Sequence, residues 1–164
     1  MRITRLDAQT VCLSELNGLV TELLRRVVPS ADPGDNPAAR ARLFSAPTHD
    51  TEEAEFLEDW EAYIEPELSK LFLSSRELIE ADLQKLRIDP ATGEGALCIP
   101  FSHIDGWIHG LNQARIALAA RFDFTEDEME GVIVPSADGR AFALVQVYIY
   151  AGLQQLFLSQ LERD

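Results

Sequence analysis

The period of the apolar positions changes several times along the chain. From Arg2 to Leu13 they alternate loosely, ITRL and then QTVCL on either side of Asp7-Ala8, which predicts two short strands joined by a tight turn. A helical period follows. Leu16, Leu19, Val20, Leu23, Leu24 and Val27 recur at helical spacing behind Ser14, which is placed as an N-cap, and Pro29 is expected to end the segment. SADPGDNP is dense in turn formers, and Asn36-Pro37 open a short helix through Phe44 with proline at its first position. Asp50 and Glu53 have capping-box spacing ahead of TEEAEFLEDWEAYI, a helix expected to bury Phe56, Trp60 and Tyr63 on one side. Pro66 removes an amide donor within the pattern, so a kink or break is expected, with a restart through PELSKLFLSSRELIEADLQKLR. DPATGEG is a loop signal and ALCIPF a short extended segment. Ser102 then caps a helix through Phe122, TEDEMEG forms a brief acidic helix, and Asp138 caps a long apolar one.

These segments predict a mostly α chain: a single-domain helical bundle of about five substantial helices with a small N-terminal β-hairpin. The expected domain spans 1–164, with the hairpin over 1–13 and helices over 14–28, 36–44, 50–64, 66–87, 102–122, 125–130 and 138–162.

The last helix, AFALVQVYIYAGLQQLFLSQL, carries no formal charge and is long enough for a bilayer. Gln146, Gln154, Gln155, Ser159 and Gln160 would each be costly in hydrocarbon, and no basic cluster flanks the run. A helix buried on most of its circumference is the better account, either inside a monomer or across a homodimer interface. Its glutamines are suited to hydrogen bonds across helix contacts.

Charge narrows the partners. Twenty-eight acids against fourteen Lys and Arg give a net charge of -14, a field that repels nucleic acid and anionic lipid. The acids cluster: eleven lie between Glu52 and Arg87 against four bases, and five more between Asp123 and Glu130 with none. A solvated helix face and a docking surface for a basic partner both fit that pattern. The start, MRITRLDAQTVCLSEL, lacks the apolar core of a signal peptide, and the two cysteines, Cys12 and Cys98, form no close-spaced pair. The cytoplasm is therefore the expected location, with reduced thiols. A redox role for Cys12 and Cys98 requires the fold to bring them together.

Candidate chemistry concentrates in SHIDGWIHGLNQARIALAARF. On a helical wheel Ile104, Trp107, Ile108, Leu111, Leu118 and Phe122 form an apolar stripe, with Arg115 inside it. Asp105, His109 and Asn112 form an adjacent stripe. Arg115 needs a carboxylate or carbonyl acceptor, and Asp82, Glu65 and Glu67 are the candidates; a buried strut between helices and an anion-binding hook both follow from such a residue. Asp105, four residues before His109, is placed to orient the imidazole, and Asn112 to bind a carbonyl oxygen; a local surface hydrogen bond is the plainer alternative. His49 falls in a loop and His103 just past a cap. No nucleophile elbow, P-loop, dinucleotide-binding glycine pattern, HExxH or zinc spacing occurs, so no catalytic residue, metal or cofactor is expected.

The run WIHGLNQARIALAARF resembles the Trp…Leu-Asn-x-x-Arg-x-x-Leu…Arg helix of a chiefly actinobacterial family of unknown function, encoded beside the ClpS adaptor. The acidic segment after it and VYIYAGLQQLFLSQL are similar to the C-terminal half of that family. The resemblance implies a mostly α, cytoplasmic protein. Some members are labelled AosR-type oxidative-stress transcriptional regulators, acting through a sigma factor by cysteine chemistry. Only Asn112 and Arg115 match motif positions, and no catalytic residue carries over. The leading expectation is a non-enzymatic regulatory or adaptor protein whose acidic helices meet a basic protein such as a sigma factor or polymerase subunit. A homodimer is a further expectation. The alternative is a small-ligand binder or enzyme using Asp105, His109, Asn112 and Arg115.

Overall fold

The computed structural model describes residues 1–48, 50, 53–130 and 138–162. Strands β1 (Arg2–Arg5) and β2 (Thr10–Leu16) pair antiparallel with Ile3 opposite Leu13, and the Gln9 amide donates to Asp7 Oδ1 at 2.8 Å across the turn. The hairpin does not stand alone. β2 also pairs with β4 (Gly95–Pro100), and β3 (Arg87–Ile88) closes a four-stranded antiparallel sheet of order β1-β2-β4-β3. Val11, Leu13, Leu97 and Ile99 are buried and belong to the main core, as the two-residue strand period requires. The chain remains mostly α, but the small hairpin of the sequence-based expectation is half of a sheet.

That sheet moves the first helix boundary. Ser14 lies in β2 opposite Arg2 rather than capping a helix. The pairing with β4 shifts register between Leu13 and Leu16, and Glu15 sits there at a φ of 54°, in the left-handed region. This irregularity leaves Leu16 fully buried. Asn17 then caps α1 (Gly18–Arg25), its side chain accepting from the Val20 amide at 2.9 Å. A second short helix, α2 (Val27–Ala31), continues past Pro29; the proline lies in its first turn, where a missing amide costs little.

Helix α3 (Pro37–Leu43) has its expected Asn36 cap. Helix α4 (Ala54–Asp59) runs through a π-helical turn at Trp60–Ile64 into α5 (Glu65–Leu83). The wide turn immediately before Pro66 absorbs the missing amide donor, so the chain stays helical where a break was one expectation. Helix α6 (Ile104–Phe122) follows a 3-10 turn at Phe101–His103, one residue later than a Ser102 cap would start it. Helix α7 (Glu126–Glu130) and α8 (Gly139–Leu161) complete the chain, and Asp138 caps α8 through the Ala141 amide.

Helix α6 is the hub, packed against α2, α3, α5 and α8. Ile104, Trp107, Leu111 and Ala114 are fully buried, and Trp107 meets Phe157 of α8 at 5.8 Å between ring centroids. Each large apolar side chain taken from water adds about 1.5–3 kcal/mol. Gly106 and Gly110 give α6 a flat strip onto which Leu78 and Ile79 of α5 pack directly. Helix α8 is long and apolar enough to cross a membrane by length and composition. Its inner amides are nevertheless used within the fold. Gln146 donates to Ser30 Oγ at 3.0 Å and to the Tyr150 hydroxyl at 3.1 Å, and that hydroxyl donates to the Leu23 carbonyl at 2.8 Å.

Candidate functional site

The four candidate residues of α6 separate into two pairs. Asp105 and His109 are exposed, no hydrogen bond joins them among the described residues, and neither lines the groove that the other two share. Asn112 and Arg115, one turn further on, line an open groove of about 650 Å³ bounded by α3, α6, Phe124, Met129 of α7 and Val147 of α8.

Arg115 is half-buried. Its Nη1 donates to Gln154 Oε1 at 2.6 Å, and Gln154 in turn donates from Nε2 to the Ile108 carbonyl at 3.0 Å. The guanidinium thus ties α6 to α8. None of the three acids expected to meet it does so: Glu65 pairs with Arg40 at 3.6 Å, Glu67 with Lys70 at 2.6 Å, and Asp82 is used elsewhere. Among the described residues Arg115 forms no ion pair, and its buried Nε has no acceptor. Desolvation by burial lowers its pKa from the ordinary arginine value.

Asp82 is the polar centre that the α6 pattern concealed. Fully buried on α5, its carboxylate accepts from Trp107 Nε1 at 3.1 Å and lies 2.8 Å from His103 Nδ1, while Lys85 Nζ donates to its other oxygen at 2.9 Å. Burial alone would raise the pKa of this carboxyl, but the bonds from Lys85, His103 and Trp107 outweigh it and hold the group below the usual carboxylate value. His103 is therefore no bystander beside a cap. The network pins the last turns of α5 to the start of α6. Asp82 stands near the apolar edge of its own helix, which gave a signal; its indole and imidazole donors lie more than twenty residues away and gave none. His49 lies outside the described residues.

The cysteines meet. Cys12 and Cys98 face each other directly across β2 and β4, with Cα atoms 4.0 Å apart, and are joined by a disulfide. Cys12 is buried and Cys98 exposed. No group of three or more His, Cys, Asp or Glu able to hold a metal occurs among the described residues.

The segment expected to bury aromatics instead displays them. Ala54–Ile64 has no buried residue; Phe56 is 47% and Tyr63 68% exposed, and Trp60 is only half-buried. Ile64 and Leu71 continue the exposed apolar positions onto α5. Glu55, Glu58, Asp59 and Glu61 share this arm and form no ion pair among the described residues.

No curated protein and no solved structure matches the chain. A family model described as a domain of unknown function, DUF2017, matches residues 5–161, and the chain belongs to that family.

Proposed function

We propose that the protein is a cytoplasmic, non-enzymatic regulatory adaptor whose α4–α5 arm docks on a basic protein. One observation carries this reading: Glu55, Glu58, Asp59 and Glu61, which form no ion pair among the described residues, share the arm with exposed Phe56, Tyr63, Ile64 and Leu71, and its Ala54–Ile64 portion has no buried residue. Apolar side chains left in water on a charged helix are the usual mark of a binding face. The acids add the choice of partner, since a negative rim around an apolar centre favours a positively charged surface and repels nucleic acid. The transcription apparatus, through a sigma factor or polymerase subunit, is the class of partner that the family likeness implies.

Capture from lysate at low and high salt, with bound proteins identified by mass, tests the idea. The expected result is a basic protein retained at low salt, released at high salt, and lost with the Phe56→Ala, Tyr63→Ala double variant. Because neither side chain belongs to the core, that variant should stay within about 1 kcal/mol of the parent in stability. Capture indifferent to both salt and the double variant would overturn the proposal.

A redox-gated version is favoured by the opposed Cys12 and Cys98. Peroxide would oxidise the two thiols to the disulfide, with release of two waters and no other co-reactant. In a reducing cytoplasm the bond would then mark an oxidising event. Non-reducing gel mobility of the reduced protein before and after peroxide should shift; unchanged mobility removes this version.

A further inference from the structure

We infer that the groove between α3 and α6 is a binding site for a small organic carboxylate with an apolar body, gripped by Arg115 and Asn112. The charge pattern is the first argument. In a chain with twice as many acids as bases, Arg115 is half-buried yet reaches no carboxylate, and its buried Nε no acceptor, among the described residues. Its single strong bond is to a neutral amide, which fixes the guanidinium plane without neutralising it. A desolvated, oriented and uncompensated guanidinium is a planar donor set suited to a carboxylate. Burial already depresses its pKa, so an incoming anion would relieve an existing cost.

The surroundings define the rest of the ligand. Asn112 lies one helical turn before Arg115 on the same lining and offers an amide beside it. Arg42 of α3 and Asp123 line the same groove. Two cations against one acid favour a single negative charge over the two or more of a phosphate. Between them the walls are Ile116, Phe124, Met129 and short alanines, a lining that accepts hydrocarbon. An open groove of about 650 Å³, with somewhat more apolar than polar lining, has the dimensions of a small-molecule site. The inference is independent of the α4–α5 arm, which lies on other residues.

Octanoate, octanol and inorganic phosphate, titrated separately into the isotope-labelled full-length protein, test it by backbone amide shifts. Octanoate should give saturable shifts centred on Asn112 and Arg115, with octanol at least tenfold weaker and phosphate without saturation. Arg115→Gln should weaken octanoate at least tenfold. Because that change also disturbs the bond to Gln154, Ala41→Phe serves as a second variant: it fills the groove from an exposed position on its rim, and should abolish the shifts with the melting temperature unchanged. Three results would each overturn the inference: no saturable octanoate shifts, octanol binding as tightly as octanoate, or saturable phosphate binding of equal strength. Octanoate binding that survives Ala41→Phe would place the ligand elsewhere and equally defeats it.

Discussion

At Asp82 the cost of taking a carboxylate out of water is offset by three donors from separate parts of the chain, and the balance depends on all of them. Asp82→Ala should remove about 3 kcal/mol of stability, since it leaves the buried Trp107 indole and the His103 ring facing an apolar gap. Asp82→Asn should cost less, as one acceptor oxygen remains. The pH dependence has a definite sign. The folded-state pKa of Asp82 lies below the unfolded aspartate value of about 3.9, so its stabilisation is complete above that value and is lost as pH falls through the lower folded one. Melting temperatures of the parent and Asp82→Ala should therefore differ most near neutrality and converge below about pH 4. A gap that holds constant into acid would show that the carboxylate charge is not what the network uses. Arg115 is the complementary case at this scale: its oriented charge has no acid beside it among the described residues.

Between elements, close approach decides the architecture. The α5–α6 contact depends on Gly110, because any side chain there would enter the space of the fully buried Ile79. Gly110→Leu should destabilise by about 2–3 kcal/mol through overpacking, read from urea midpoints, and Ile79→Ala in the same chain should recover part of the loss. An unchanged midpoint for Gly110→Leu would mean that the helices slide apart freely. The same helix behaves differently along its length. From Ser75 to Asp82 it is anchored by buried residues, whereas the α4 and π-turn portion has none. That contrast leaves the arm's apolar positions uncovered, and it explains why a pattern expected to bury Phe56 and Tyr63 does not: amphipathic spacing specifies a face, but it does not supply anything to cover that face.

Across the whole molecule, the sheet joins the start of the chain to its middle. The Cys12–Cys98 bond spans 86 residues and holds β2 to β4 on the face away from the core. Reduction, or Cys12→Ser with Cys98→Ser, should lower stability by about 3–4 kcal/mol, chiefly by freeing the unfolded chain. Denaturant unfolding with and without reductant measures this directly, and identical midpoints would contradict it. The apolar outer positions of α8 keep a second-copy interface in view, and light-scattering mass in solution distinguishes a dimer from a monomer that leaves them half-exposed.

Local chemistry was enough to determine much of this chain. Asn36 and Asp138 cap the helices they precede, Pro66 marks the π turn, and Ile104, Trp107, Leu111 and Leu118 bury the predicted face of α6, because caps, prolines and helical periods act within a few residues. The acidic character of the arm was equally plain from composition. Long-range pairing was not written locally. ALCIPF became a strand because β2 was there to receive it, and that pairing turned Ser14 from a cap into a strand residue. Only the tertiary structure separated Asp105 and His109 from Asn112 and Arg115, gave Asp82 to Trp107 and His103, and set Cys12 against Cys98. The physical reason is common to all of these: a partner's identity is a property of distances through space, and a sequence constrains those only through the complete set of contacts that the fold satisfies at once.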